Sequence, residues 1–473
     1  MEDSAHTNIK STFRDLMTDI IKIVHSRWII EWPFEMPRMG EHFYYEEINE
    51  LNSFKTVKAE LLNLPSVKSK YSESGVEKPI FSLIKMTLAS LVNPERLDYA
   101  IDDSWPHFCN FIDSASVEVR LLVGLSNLHS DKSEYQLDRE TKLKYFGTRT
   151  FEREINNLVP MWRKISFPQH ISLYQCNGVI QIDFSMPAIE DVLEYHKYTR
   201  ECIDRMIPLQ EALQLCGFGY VGIGPWVSIL NPKLPMDDVT AVGEAGGYLS
   251  VLHMPRLVIN QGTWDRFCNI HEILRRIHDN DKKELETGRA VRRRLRSAIS
   301  RFAQTFDKGL WESAIVDIVI LMESILTPNK QGGRMQLALA ASNLLGTTDE
   351  EAREIYDNIN RLYSIRNNYV HGEPTTQEKW EGSLYEIALG ANWEPETDPD
   401  NQYVEEYAIE VARDYARRSI CAMLNLYHHA GLSPSDSLTK DLHRLHLDKN
   451  LKTRIQINAR CYPFLNRKNQ PIT

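Results

Sequence analysis

Residues 348–372 constrain this chain more tightly than any other stretch, because both ends of a helix are written into them. Thr348-Asp349-Glu350-Glu351 is a capping-box sequence: the Thr348 side chain takes an N–H of the first turn while Glu351 reaches back. Asp349, Glu350 and Glu351 also place negative charge at the positive end of the helix dipole. At the far end Gly372 stands where a C′ glycine belongs, and Pro374 forbids continuation. Between these signals Ala352, Ile355, Ile359, Leu362 and Tyr369 recur at steps of three, four, three and seven, the spacing of one helical face. Arg366 falls near the centre of that face, where Leu or Ile is expected.

A guanidinium does not lose its proton, so Arg366 needs a carboxylate, a phosphate or a wet interface. A local rule broken without structural gain marks a candidate functional position. Asn367 follows, and His371 sits in the last turn, four residues from Asn367 and on its face. Arg366 and His371 are five apart, about 140° around the helix. A joint site therefore needs the long stem of Arg366, an irregular helix end, or a second copy of the helix across a dimer axis. Two carboxylates lie within the apolar run Ala314–Leu326, Asp317 and Glu323. Being six apart they point in different directions and make no acid/base pair. Each is a candidate partner for Arg366, and a single buried ion pair fixing helix register is the plain structural alternative.

Around this helix the chain divides into four stretches. Residues 1–60 read as helix, broken by a patch at Trp32-Pro33-Phe34-Glu35-Met36-Pro37. Residues 61–285 are mixed α+β: strand-like runs occur at Ile171–Tyr174 and Val179–Phe184 beside the turn Asn177-Gly178, and Asp191–Cys216 reads as helix. Residues 286–432 are helix only, with segments over 289–308, 310–326, 333–346, 349–371 and an amphipathic 403–430. Trp393–Asp400 forms a polar break, and residues 433–473 are a basic, peripheral extension. The domain boundary is expected at 280–290, where Asp279-Asn280-Asp281-Lys282-Lys283 interrupts the pattern. The fold class expected is mainly α, a C-terminal helical bundle preceded by a mixed α+β region.

Several chemistries lack their residues. Gly217-Phe218-Gly219-Tyr220-Val221-Gly222 fits G-x-G-x-x-G, but a helix precedes it and Gly224-Pro225 follows where a helix should begin, so the phosphate cradle is missing. His271-Glu272 with His278 has the wrong spacing for a zinc protease, and His443 with His446 lacks a third ligand. There is no G-x-S-x-G and no P-loop. The seven cysteines include no C-x-x-C pair, so neither a zinc ribbon nor a thioredoxin-like redox pair is available; no metal and no cofactor are expected. Glu2 and Asp3 ahead of any apolar run argue against a secretory signal, and Ala314–Leu326 is too short and too charged to span a membrane. A cytoplasmic protein is expected.

Arg366-Asn367-Asn368-Tyr369-Val370-His371 has the form R-N-x-x-x-H. With its lead-in, Asp317–Leu326, then Leu337–Gly346, then Ile355-Tyr356 and Leu362-Tyr363-Ser364-Ile365, it resembles the signature of the HEPN superfamily and, within it, the Apea-like branch. The resemblance covers residues 290–430. It implies a helical bundle that dimerises so that two R-x-x-x-x-H motifs face each other. In active members that composite site is a metal-independent endoribonuclease, and many members are toxins or effectors of anti-phage defence, including abortive infection. Carried onto this chain, His371 is the general acid or base at the RNA 2′-hydroxyl, a task that suits an imidazole, which ordinarily titrates near ~6.5. Arg366 binds the scissile phosphate and stabilises the transition state, Asn367 orients His371 or the phosphate, and Glu323, with Asp317 in reserve, holds Arg366. Other members are non-catalytic modules that dimerise or bind a nucleotide or partner, and this is the rival reading.

RNA, transfer RNA among the candidates, also fits the charge pattern. The chain carries a formal charge of −10, which excludes a surface built wholly for nucleic acid. Yet Arg289, Arg292, Arg293, Arg294, Arg296 and Arg301 bring six positive charges with no Asp or Glu among them. They form either a phosphate track or a solvated helix face. No aromatic pattern accompanies them, so base reading is not expected. The N-terminal region is expected to sense a trigger of phage origin, and the acidic loop from His371 to Asp400 to shield the site.

Overall fold

In a computed structural model of the chain, the described residues are 2–27, 41–91, 93–146, 176–187, 195–217, 219–230, 256–283, 289–306, 310–327, 333–372, 377–390, 404–429 and 448–459. Helix dominates, and every described strand lies before residue 260. None of the described helices is long and apolar enough to cross a membrane. Two compact units are present, one of residues 1–125, 133–204 and 224–245, the other of 126–132, 205–223 and 246–473. The boundary expected at 280–290 thus falls inside the second unit. Asp279–Lys282, read as an interruption, forms the last turn of a helix, and Asp281 is retained there by Arg292 and Arg296 at 2.6 and 3.1 Å.

The first unit opens with helices α1 (Glu2–Arg27), α2 (Glu41–Glu50), α3 (Asn52–Leu62), α4 (Pro65–Lys68), α5 (Glu77–Ser90) and α6 (Leu97–Asp113). Residues 2–27 pack against α3 and α6 through Phe13, Leu16, Phe54, Val57 and Trp105, so residues 1–60 are not a separate segment. Along the chain then come strands β1 (Ser116–Ser126), β2 (Leu128–Ser130), β3 (Glu134–Gln136), β4 (Thr141–Tyr145), β5 (Cys176–Pro187), β6 (Gly222–Leu230) and β7 (Leu257–Ile259), with α7 (Tyr195–Leu215) between β5 and β6; β2, β7 and the second half of α7 belong to the second unit. Five strands form a sheet in the order β3-β4-β5-β1-β6, with β4 antiparallel to β5 in the register Leu143↔Ile180. β2 pairs with β7 in parallel, apart from that sheet. The expected strand Val179–Phe184 lies within β5. Ile171–Tyr174, Trp32–Pro37, Trp393–Asp400, His443 and His446 lie outside the described residues.

The helical half comprises α8 (Gln261–Lys282), α9 (Arg289–Gln304), α10 (Trp311–Leu326), α11 (Arg334–Leu345), α12 (Asp349–His371), α13 (Gln377–Gly390), α14 (Val404–His429) and α15 (Lys449–Ala459), of which α9, α10, α11, α12 and α14 follow the expected segments to about a turn. α13 occupies part of the stretch expected to be an acidic loop, and it packs on α12 and α14. The C-terminal extension is not wholly peripheral either. Ile455 of α15 is buried, and Gln456 Nε2 donates to the carbonyls of Leu344 and Gly346 at 3.0 and 2.8 Å.

α14 is the axis of this unit. Every residue from Ala408 to Leu426 is buried, including Glu410, Arg413, Asp414, Arg417 and Arg418. Buried charge is tolerable only when paired and hydrogen-bonded, and here each arginine meets both a carboxylate and the carbonyl end of another helix. Arg413 bonds Glu410 and the Thr305 carbonyl just beyond α9. Arg417 bonds Asp414 and the Gln214 carbonyl in the last turn of α7. Arg418 bonds Glu351 at 2.7 Å and the Leu345 carbonyl ending α11 at 3.0 Å. Three helix C-termini, each with carbonyls lacking intrahelical partners, are thus completed by cations from one central helix.

Candidate functional site

The motif helix α12 forms as its end signals dictate. The Thr348 hydroxyl accepts from the Glu351 N–H at 3.1 Å, and Glu351 reaches back to the Thr347 N–H at 2.8 Å. At the other end Gly372 adopts φ 63°, the left-handed conformation that suits glycine, and its N–H returns to the carbonyls of Asn368 and Tyr369. The buried line differs from the expected stripe. It runs through Ile355, Asn358, Ile359, Leu362 and Ile365, so Arg366 lies at the edge of the packed face, half-buried, and Tyr369 is exposed. The helix is unbroken from Asp349 to His371, so Arg366 and His371 leave it about 140° apart, as expected for a single copy.

Arg366 has neither of its expected carboxylate partners. Asp317 pairs with Arg301 of α9 at 2.6 Å. Glu323 acts on the Tyr363 phenol through its charge. The Arg366 guanidinium lies over the Tyr363 ring, 5.6 Å from its centroid, and Nη1 donates to Asn367 Oδ1 at 2.7 Å. Its Nε–H is buried with no hydrogen-bond partner. Among the described residues Arg366 makes no ion pair, whereas Arg292, Arg301, Arg361, Arg413, Arg417 and Arg418 each meet a carboxylate. Burial first, and the Glu323 charge second, raise the Tyr363 pKa, so the phenol remains a neutral donor.

His371 is exposed at the end of the helix, next to the exposed Tyr369 and Val370. The Tyr369 hydroxyl lies 3.4 Å from Ser313 Oγ in the first turn of α10, whose preceding residue Leu310 is 60 % exposed. The motif end of α12 therefore carries a positive charge, an imidazole and an apolar surface within a short span. The Asn367 side chain is engaged by Arg366.

The arginine run of α9 splits in two. Arg292 is buried, bonded to Asp281, and so cannot meet a ligand; its place in the expected phosphate track is corrected. It falls on the helix face that also buries Val291, Leu295 and Ile299. Burial opposes the Asp281 charge, but hydrogen bonds from Arg292 and Arg296 outweigh it and hold that carboxyl low. Arg289, Arg293, Arg294 and Arg296 are exposed, and Arg296 is tied to the same carboxylate.

Three groups went unread in the sequence. Tyr363 is one, detectable only as an aromatic side chain three residues before Arg366, on the same face. Glu354 is another: burial and the neighbouring Glu351 push its carboxyl up to about 7, although Arg418 and a hydrogen bond to Tyr415 pull the other way. It lies 12 residues before Arg366, about 18 Å along the helix, and belongs to the packing of α12. The third is a Cys–His–Asp alignment in the first unit. Cys109 Sγ is 3.5 Å from His6 Nδ1, and His6 Nε2 is 3.1 Å from Asp113. Burial and the Asp113 charge push that thiol up to about 11, and it sits near the carbonyl end of α6. Both effects oppose a thiolate, so the trio ties α1 to α6 and is not an activated nucleophile.

Compared with known proteins, the chain matches no family model, no curated protein and no solved structure.

Proposed function

We propose that this chain is a metal-independent endoribonuclease acting in the cytoplasm as an anti-phage, abortive-infection effector, and that it works as a HEPN-type homodimer. The observation that carries the reading is Arg366: a half-buried cation, held by Tyr363 and Asn367, without a carboxylate and with a buried N–H unsatisfied. A buried donor left unmade costs about 1–3 kcal/mol, a cost that a bound phosphodiester would remove. The imidazole that such a site needs is five residues on and exposed. Two copies of α12 related by a twofold axis would bring the Arg366 of each toward the His371 of the other. The exposed Leu310, Tyr369 and Val370 supply apolar surface for that contact.

In the reaction one His371 takes the proton of the 2′-hydroxyl as its oxygen attacks the adjacent phosphorus. The bond from phosphorus to the 5′-oxygen breaks, and the second His371 of the dimer protonates that leaving oxygen. Arg366 balances the charge gathering on the non-bridging oxygens. The products are a 2′,3′-cyclic phosphate and a 5′-hydroxyl. Because the nucleophile belongs to the substrate, no metal-bound water is required. Arg289, Arg293 and Arg294 guide the RNA by its phosphates, and transfer RNA is one candidate substrate.

The test is cleavage of total cellular RNA by the purified chain in EDTA, beside Arg366→Ala and His371→Ala. Discrete fragments from the parent alone support the reading. Equal cleavage by all three, or none by any, removes it in favour of a contaminant or a binding module.

A further inference from the structure

The sheet of the first unit carries a polar cluster remote in sequence from α12. Strand alternation sets Lys142 and Lys144 of β4 on one face, with the buried Leu143 turned to the other. Lys142 stands opposite Gln181 of β5, and Lys144 is flanked by Val179 on β5 and Glu134 on β3. Asp183 shares that face, two residues beyond Gln181. Arg120, from the neighbouring strand β1, grips Asp183 through two hydrogen bonds of 2.6 and 3.2 Å. Gln181 is only 3 % exposed, and its Nε2 donates to Asp183 at 2.6 Å. A carboxylate only accepts, so this bond fixes which end of the amide is which. The atom left over is Oε1, buried and without a hydrogen-bond partner.

The charges beside it are not all matched. Asp183 is spent on Arg120, and Glu134 lies 3.6 Å from Lys142. Lys144 is half-buried and makes no ion pair among the described residues. Burial, and after it the Lys142 charge, hold its ammonium below the ordinary lysine value, with Arg120 adding to the effect and Glu134 and Asp183 opposing it. An acceptor lacking a donor and a cation lacking an anion are satisfied together by one ligand, anionic at one end with an N–H or O–H close by. Two ammoniums are compact point charges that suit a tetrahedral phosphate. The guanidinium fork that would match a planar carboxylate is already taken by Asp183. The Asp183 and Glu134 side chains are 40 and 44 % exposed, so solvent reaches the rim of the cluster. We propose that this face of the sheet binds a small phosphate monoester, Lys144 and Lys142 taking the phosphate and Gln181 Oε1 accepting from an N–H or O–H of the esterified body. Every residue of the site lies in the first unit, and its ligand owes nothing to the ribonuclease reading.

The experiment titrates ribose 5-phosphate, inorganic phosphate, acetate and ribose into the full chain at low salt, followed by isothermal calorimetry. All measurements carry Arg366→Ala, so that the cation of the second unit takes no part, and thermal unfolding checks the folding of each variant. Ribose 5-phosphate should bind, inorganic phosphate should bind roughly tenfold more weakly, the scale of one hydrogen bond to a buried acceptor, and ribose and acetate should not bind measurably. Lys144→Met should weaken both phosphates by roughly tenfold or more, whereas Lys144→Arg, which keeps the charge, should retain most of the binding. Gln181→Met should bring ribose 5-phosphate down to the level of inorganic phosphate and leave inorganic phosphate as it was. Failure of ribose 5-phosphate to bind, or acetate binding as tightly as inorganic phosphate, would overturn the proposal. So would binding that Lys144→Met leaves intact, which would assign the phosphate to the exposed arginines of α9, or an ester preference that survives Gln181→Met. If Gln181→Met does not fold, the lysine pair decides: loss in Lys144→Met with retention in Lys144→Arg supports the site, and equal binding by the two removes it.

Discussion

Replacing Glu354 by Gln should make the protein's stability less dependent on pH, in a direction the structure fixes. The carboxyl lies half-buried beside the Tyr415 hydroxyl with Glu351 close by, and its pKa in the folded chain is about 7 against an ordinary 4.5. An acid raised on folding binds its proton more tightly in the native state. Its contribution is therefore complete below the unfolded value near 4.5 and is lost as the pH climbs through 7. The gap of 2.5 units between those two values corresponds to ~3.4 kcal/mol at most. Solvent reaching a half-buried group trims this to about 1–2 kcal/mol. Gln keeps the shape and the hydrogen-bonding capacity and carries no charge at any pH. Between pH 5 and 8.5, about, the unfolding midpoint of the parent should fall by a few degrees more than that of Glu354→Gln, with the variant the more stable at the alkaline end. Thermal unfolding of both proteins across that range is the assay. Parallel midpoints would refute the claim that an uncharged Glu354 is part of the fold.

The buried arginines of α14 give a second expectation. Arg418→Met strands Glu351 and the Leu345 carbonyl, and should cost about 3–5 kcal/mol in urea unfolding. Gly346→Ala would place a methyl group 2.7 Å from both Ala352 and the Ser342 carbonyl, so it should destabilise by about 1–3 kcal/mol. On α9, Arg293→Gln and Arg294→Gln should each lower the slope of log affinity for single-stranded RNA against log salt by about 0.7, measured by fluorescence anisotropy. Arg292→Met should leave that slope alone and lower stability instead, since its side chain is turned inward.

The helical half of the fold was legible because its signals are local. Thr348, Glu351 and Gly372 mark the ends of α12 in the sequence, and the same residues make the capping contacts in the structure. α14 was legible as a helix but not as a core element. The sequence marks it only as amphipathic, and the surrounding carbonyls of Thr305, Gln214 and Leu345 explain why its charged residues are inside. α13 and α15 were missed because weak patterns gain their helical state from packing on α14. The strands β3, β4 and β6 are short or rich in small residues, and pairing between distant segments leaves little local trace. At the site, periodicity flagged Arg366 and the last turn offered His371, yet two readings were equally available for the arginine. The spacing of Asp317 and Glu323 could not say that Asp317 belongs to Arg301. Nor could a run of arginines on α9 reveal that Arg292 points into the core while Arg293 and Arg294 face outward.

The central claim is that His371 moves the proton of a substrate 2′-hydroxyl. Its most direct test is a defined RNA, cut by the parent chain in EDTA, compared with the same RNA carrying a single 2′-deoxy nucleotide on the 5′ side of the mapped cleavage position. The account predicts cleavage of the first only, with a 2′,3′-cyclic phosphate and a 5′-hydroxyl at the new ends, and no cleavage of either by His371→Ala. Cleavage of the deoxy-substituted strand at that position, or a 5′-phosphate on the product, would contradict it, because the nucleophile would then come from outside the substrate.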